Sequence, residues 1–219
     1  MRVAALYDVH GNVRALEAVL REAVDVDAYV FGGDLVAGAW PRETLELARS
    51  LGDRAHFVRG NWERALVECD PAPEAVWLRA QLDGHDLDWP ETLTLDGVLY
   101  CHATPRSDSE IVLPQWDRSD WSAFRGPLVV CGHTHVQFDV ERNGTRIVNP
   151  GSVGNPTVRA TAWWAVIDGG EAELRTTDYD TASAAAEMRT SGFPRPDFAD
   201  ELGEPYTVER ILDLLADAA

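Results

Sequence analysis

The sequence predicts an α/β chain with a mixed, two-sheet core, and three observations predict it. Short apolar runs alternate with amphipathic stretches from Met1 to Gly60. Polar residues cluster where those runs stop. The last third of the chain changes to apolar runs paired around Asn-Gly and Asp-Gly turns.

The elements follow in order. Val3 to Tyr7 is a short apolar run ending at Asp8. Asn12 is placed to cap a helix carrying Val13, Leu16, Val19 and Leu20. Tyr29 to Phe31 is a buried strand stopped by Gly32-Gly33. Pro41 opens a helix through Leu45, Leu47 and Leu51, and His56 to Val58 is a third strand stopped by Gly60. Trp62 to Leu82 reads as helix with a break around Asp70 to Pro73. Thr92 to Leu95 and Val98 to Cys101 flank Asp96-Gly97, a hairpin signal. The segment 103–126 is polar, with prolines and tryptophans, and reads as a loop with a short helix that rims a site. Leu128 to Cys131 is another buried strand. Hairpins follow at Asn143-Gly144 and at Asp168 to Gly170. Helices are expected near Ala182 to Met188 and Val208 to Leu215, with Gly192 to Pro205 as a surface linker. No repeat or internal boundary is visible, so residues 1–219 are expected to form one domain.

Composition narrows the function. The formal net charge is −18 and the sequence pI about 4.6, which argues against general binding to duplex nucleic acid, where cationic side chains must neutralise phosphates. A small phosphorylated substrate stays open, because bound cations reverse the sign locally. The three cysteines form no C-x-x-C motif, and Cys101 and Cys131 lie in apolar runs, as buried free thiols do. A reducing, cytoplasmic setting fits. Met1 leads almost directly into a strand, so no leader is expected, and no apolar stretch reaches the roughly 20 residues that span a bilayer.

The chemistry lies in the polar clusters. They are Asp8-Val9-His10-Gly11-Asn12, Gly32-Gly33-Asp34, Gly60-Asn61, His102, and Gly132-His133-Thr134-His135. Ligands gather beyond the carboxyl ends of strands in α/β sheets, so clusters distant in sequence are expected to converge. Asp8 and His10 share one side of an extended chain, as do His133 and His135. Two carboxylates, one amide oxygen and four imidazoles form a mixed oxygen and nitrogen set without thiolate. Such a set suits borderline divalent ions such as Mn, Fe or Zn. It is too large for one ion and unlike the closed, mostly cysteine sites of structural zinc. A lone histidine is usually a packed or surface residue, and His56 and His85 read that way. Four of the six histidines, however, stand beside apolar strands, where burial without a partner is costly.

The ordered set D-x-H-G-N, G-G-D, G-N, a later strand-end histidine and G-H-T-H resembles the calcineurin-like metallophosphoesterases. Asn149 to Gly154 resembles a segment of the small bacterial and archaeal phosphodiesterase branch. The resemblance runs from Asp8 to about Pro156. It implies a four-layer α/β/β/α sandwich with two mixed sheets. It also implies two divalent ions, manganese first among Mn, Fe, Ni and Zn. Asp8, His10 and His135 would hold one ion, Asn61, His102 and His133 the other, and Asp34 would bridge them. Asn12 would contact phosphate, so Asp34, Asn12 and Asn61 are the expected catalytic residues. Many members have G-N-H-[DE]; here Trp62 and Glu63 stand after Asn61. Indole offers no titratable proton, and general-acid help is worth ~10²–10⁴-fold. That departure favours phosphodiesters with good leaving groups over alkyl monoesters.

The implied mechanism is in-line attack by a hydroxide bridging ions roughly 3.5–4 Å apart. Two divalent ions, two carboxylates and one hydroxide sum to about +1, a surplus that an aspartate at position 61 would cancel. Trp62 reads as a packing residue at the pocket edge or a platform for a base. Arg106 reads as a phosphate contact or a surface residue. Asp108 and the segment from Trp116 to Trp121 shape the rim, which offers a surface to substrate or to a second subunit in a homo-oligomer. Two further readings stand beside the phosphodiesterase. One is a phosphomonoesterase or nucleoside-polyphosphate hydrolase. The other is a non-catalytic scaffold of the same fold, disfavoured because all seven ligand positions are filled.

Overall fold

Alternation along the first strand sets the layers. The computed structural model describes residues 1–217, with side chains described through residue 214. In β1 (Arg2–Leu6) and the residue after it, Val3, Ala5 and Tyr7 face one core while Ala4 and Leu6 face another. A strand buried on both faces reads as a continuous apolar run, as this one does. β1 pairs in parallel with β2 (Ala28–Phe31), and β2 with β3 (Ala55–Phe57). On its other side β1 runs antiparallel to β9 (Ala162–Asp168), which pairs with β10 (Glu171–Thr177). The first sheet therefore has the order β10-β9-β1-β2-β3.

The second sheet has the order β4-β5-β6-β8-β7. β4 (Thr92–Leu95) and β5 (Val98–Cys101) form a hairpin over Asp96-Gly97, where both residues take the positive φ that a two-residue turn needs. β6 (Leu128–Val130) lies parallel to β5 and to β8 (Thr145–Asn149), and β7 (Phe138–Arg142) closes the edge antiparallel to β8.

Three cores stack through the molecule. One face of the first sheet packs on α1 (Val13–Glu22), α2 (Pro41–Arg49) and α4 (Pro73–Gln81), through Leu16, Val19, Leu45 and Leu78. The sheets meet through Val3, Tyr7, Val30, Tyr100, Val130 and Ile167. Beyond the second sheet, Val129, Cys131 and Ile147 meet Leu113 and Phe124 of the 103–126 segment. Val208, Ile211 and Leu212 of α7 (Val208–Asp217) pack against the same cluster. These are four layers, the outermost made by α7 and an anchored loop.

α3 (Asn61–Val67) and α4 fall on either side of the expected break. The 103–126 segment holds a 3-10 turn at Trp121–Ala123 and buries Val112, Leu113 and Phe124. One reading needs correction. Gly192 to Pro205 is not a surface linker. It contains α6 (Asp197–Gly203), which follows α5 (Thr181–Met188) and buries Ala199 and Leu202, with Phe193 buried just before it. Acids on its outer side hid the apolar positions facing in.

Candidate metal centre

The polar clusters follow the carboxyl ends of parallel strands, and the two sheets bring those ends to one pole. Asp8 and His10 follow β1, Asp34 follows β2, and Asn61 follows β3 at the start of α3. From the second sheet, His102 follows β5, and His133 and His135 follow β6. The backbone turns sharply at nearly every one. Asp8 (φ 52), His10 (φ 48), Asp34 (φ 50), His133 (φ 68) and His135 (φ 58) are all left-handed. Non-glycine residues in that region are uncommon and cluster at functional sites, where the surroundings over-determine them.

Two groups of ligand atoms result, Asp8 with His10 and His135, and Asp34 with His102 and His133. Within each group the atoms lie within 4.8 Å of one another. Each carboxylate is held by one oxygen and points the other inward. Asp8 Oδ2 accepts from the His133 N–H at 2.9 Å, while Asp8 Oδ1 lies 3.5 Å from His135 Nε2 and 3.9 Å from those of His10 and His102. Asp34 Oδ1 accepts from the Trp62 N–H at 2.9 Å, while Oδ2 lies 3.5 Å from His102 Nε2 and 3.9 Å from His10 Nε2. Asp34 thus reaches an imidazole of each group. Asn61 joins the second through Oδ1, 3.1 Å from His102 Nε2.

The imidazoles are oriented from behind. His10 Nδ1 is 3.2 Å from the Ala37 carbonyl and His102 Nδ1 is 2.9 Å from the Gly32 carbonyl. A carbonyl only accepts, so each Nδ1 carries its proton and each Nε2 turns inward, the arrangement typical of metal-ligating histidine. α6 adds Phe198, whose ring meets His10 edge-on at 5.6 Å.

The donor set fits divalent cations. Asp8 Oδ1 is fully buried with no hydrogen-bond partner, and the Nε2 atoms of His10 and His135 face each other at 3.0 Å. An orphaned carboxylate oxygen and two opposed ring nitrogens require a proton or a cation between them. The carboxylates and imidazoles also shift one another's ionisation. Burial and the nearby His135 hold His10 down to about 4, and burial and the His102 charge hold His133 down to about 4. Burial opposes ionisation of Asp34, yet the His102 charge and hydrogen bond keep its carboxyl well below the usual range. Burial would lower His102 too, but the Asp34 carboxylate overrides it and pushes it up to about 10.

Three positioning groups escaped the sequence reading. Glu63 is fully buried and gathers backbone N–H groups from Gly60 at 2.9 Å, Asp34 at 2.8 Å, Leu35 at 2.9 Å and Val36 at 3.4 Å. It clamps the Asp34 turn to the start of α3. Its place three residues after Gly60, where a first-turn glutamate reaches back to the cap, was the available signal. Gly60 leaves no room for a side chain, since a Cβ there would lie 2.3 Å from Asp34 Oδ1. Asn149 and Ser152, in the Asn149 to Gly154 segment, brace the loops around the site, Asn149 within the second sheet and Ser152 across to the first. Asn149 Nδ2 donates to the Gly132 carbonyl at 2.9 Å, and Ser152 Oγ donates to the Asp8 carbonyl at 2.7 Å.

The side chains of Asn12 and Arg106 both bond within the fold. Asn12 is fully buried. Its Oδ1 caps α1 by accepting from the Ala15 N–H at 3.1 Å, and its Nδ2 donates to the Gly154 carbonyl and the Tyr179 hydroxyl, both at 3.0 Å. Arg106 is bound to Glu110, Asp120 and Ser122. Trp62 packs partly buried against the helix-side core, the packing alternative. Asp108 holds Arg64 at 2.6 Å.

A family model for the calcineurin-like phosphoesterase superfamily domain matches residues 1–171. The chain belongs to that superfamily. The chain is similar to a crystallised metallophosphoesterase from Sphaerobacter thermophilus. The two share 28% identity and a TM-score of 0.77, over 93% of this chain and 99% of that one. A hypothetical protein from Pyrococcus horikoshii OT3 shares the fold, with TM-score 0.76 and 19% identity over 92% of this chain and 97% of that one. An uncharacterized protein of Methanocaldococcus jannaschii is 27% identical over 188 residues, 70% of this chain and 76% of that protein. The phosphoesterase family is one of hydrolases acting on phosphoric esters with divalent metals, and the two ligand groups are candidate sites for them.

Proposed function

We propose that this phosphoesterase is a dinuclear-metal phosphodiesterase. The observation that carries the reading is the placement of Asp34, whose inward oxygen lies 3.5 Å from His102 Nε2 and 3.9 Å from His10 Nε2. A carboxylate between two ligand groups is where a bridging ligand belongs. Asp8, His10 and His135 would hold one ion and His102, His133 and Asn61 the other, with manganese the first candidate among Mn, Fe, Ni and Zn. When bound, such ions lower the pKa of water and neutralise charge on the phosphoryl oxygens. The chain's own contribution is to set the ligands at fixed distances, exclude other protons from the two carboxylates, and leave the neutral amide of Asn61 where a third carboxylate would repel the substrate.

Charge favours a diester over a monoester. A diester carries one negative charge and a monoester up to two. Arg64, beside Asn61 in an adjoining pocket, is tied to Asp108 and Glu68, and Arg106 to Glu110 and Asp120. These guanidiniums are already neutralised, and Trp62 supplies no acid for a poor leaving group. The partner is then a small phosphodiester. Buried free thiols at Cys101 and Cys131 suit the reducing cytoplasm. Among the described residues no helix is long and apolar enough to cross a membrane.

The test is metal analysis of protein purified without chelator, followed by turnover of bis-p-nitrophenyl phosphate and p-nitrophenyl phosphate with manganese. The diester should be preferred. Preference for the monoester overturns the diester reading, and less than one equivalent of metal with no hydrolysis overturns the enzyme.

A further inference from the structure

Two pockets open beside the ligand groups, and three residues line both. The first, of about 180 Å³, is lined by Ile111, Leu113, His133, Thr134 and Ile211. Its non-ligand walls are mostly aliphatic. The second, of about 210 Å³, is bounded by His133 and His135 at the metal side and by Asn155, Thr157, Glu201 and Tyr206 farther out. Its outer walls carry a carboxylate, an amide and hydroxyls, with Pro156 and Ile211 among them. Ile211 of α7 lines both, as do His133 and Thr134. The pockets therefore adjoin each other at His133, on the edge of the candidate metal centre.

Their walls come from different parts of the chain. Ile111 and Leu113 belong to the 103–126 segment, while Glu201, Tyr206 and Ile211 lie beyond residue 171, where the family match ends. Both walls are built. Leu113 is fully buried in the outer core, and Ile211 packs against the same cluster. Glu201 Oε2 accepts from Asn155 Nδ2 at 3.0 Å, and Thr157 Oγ1 donates to the His135 carbonyl at 2.7 Å, which ties this wall to a ligand.

A phosphodiester has two ester groups that diverge from one phosphorus. We propose that the two pockets seat those groups, so that the substrate is an unsymmetrical phosphodiester with one apolar ester group and one bearing hydroxyls. The inference rests on the phosphodiesterase reading and adds the substrate class. The apolar group enters between Ile111 and Ile211, above the buried Leu113, where it leaves water. The hydroxyl-bearing group enters beside Glu201, whose carboxylate accepts hydroxyl donors strongly. In the reaction, water adds to phosphorus, one P–O ester bond breaks, and a proton of the water ends on the released alcohol. The products are one alcohol and one phosphomonoester, which keeps the other ester group in its pocket.

Binding of product probes tests this independently of turnover. The manganese-loaded protein is titrated calorimetrically with phenyl phosphate and with glycerol phosphate. Ile111→Asp should weaken phenyl phosphate relative to glycerol phosphate by about tenfold or more, because an aromatic surface then meets a charge. Glu201→Ala should weaken glycerol phosphate relative to phenyl phosphate by about tenfold, the loss of hydrogen bonds to a charged group. Ile111→Ala, which adds no charge, should shift the ratio the same way by a smaller factor, and thermal melts confirm that each variant folds. The crossed pattern supports the proposal. Equal weakening of both probes by either variant, no change with any variant, or failure of the wild-type protein to bind either probe overturns it. Turnover of bis-p-nitrophenyl phosphate by the same preparation decides the phosphodiesterase reading separately. A protein that hydrolyses the diester without the crossed pattern keeps its activity and loses this substrate class.

Discussion

The floor of the site and its walls are made in different ways. The floor is backbone. Five ligand residues adopt left-handed φ angles, and their turns are held by hydrogen bonds between main-chain groups and a few buried side chains, chiefly Glu63, Asn149 and Ser152. The walls are side chains on α6, α7 and the 103–126 segment, which rest on apolar contacts with the outer core and with His10. A floor of this kind has one geometry, since each carboxylate has one oxygen pinned before the other can reach a cation. A wall of this kind can change its side chains without moving the floor. Chemistry and selectivity should therefore separate under mutation.

The largest expected effect is at Glu63. Glu63→Ala leaves the N–H groups of Gly60, Asp34 and Leu35 buried without an acceptor. At about 1–3 kcal/mol each, the cost in urea unfolding should be about 3 kcal/mol or more, with metal content falling alongside. A variant that unfolds like the wild type and keeps both ions would show that the floor does not depend on this clamp. Next is removal of the ions. Binding at a hundredfold excess over Kd contributes about 2.7 kcal/mol, so a chelator should lower Tm by about 5–10 °C, with recovery on adding manganese. An unchanged Tm would mean that the ligand groups bind little.

Gly60→Ala comes third. Its Cβ would lie 2.3 Å from Asp34 Oδ1 and 2.4 Å from Asp34 N, both on a pinned turn. Overpacking of about 1–3 kcal/mol should appear in thermal melts. Asn61→Asp sharpens the charge argument. Metal should remain bound, while kcat/KM for a diester falls at least about tenfold, since a third carboxylate cancels the local positive surplus. The smallest effect is expected on the wall. Phe198→Ala removes an edge contact to His10 at 5.6 Å and one to Phe193 at 5.5 Å. It should cost about 1 kcal/mol and leave both ions in place by metal analysis. If the ion at Asp8 and His10 were lost instead, α6 would belong to the floor, and the comparison would fail.

The convergence of the candidate ligand residues was legible because each follows an apolar run, and such a run ending in Asp, Asn or His is visible in one dimension. The hairpins were legible for a similar reason. Asp96-Gly97 and Asn143-Gly144 carry their positive φ requirement in their composition. Glu63 was harder to see because three of the groups it binds, Asp34, Leu35 and Val36, lie 27 to 29 residues earlier. Asn12 was visible as a cap, but its Nδ2 partners, Gly154 and Tyr179, lie 142 and 167 residues away. The burial of α6 was hidden because its acids and flanking prolines outweighed Phe193, Ala199 and Leu202 in a local reading.

By itself the sequence determined the α/β class, the hairpin turns and the kinds of donor atom available, because strand alternation, turn chemistry and side-chain identity are local properties. Only the tertiary structure decided which oxygen of each carboxylate is pinned, which way each imidazole faces, and that α6 and α7 wall the pockets. Those outcomes depend on hydrogen bonds and packing between segments distant in sequence, from 27 residues for the Ala37 carbonyl on His10 to 125 for the His133 N–H on Asp8. No local pattern carries such a contact, because its energy exists only once the separate segments have packed together.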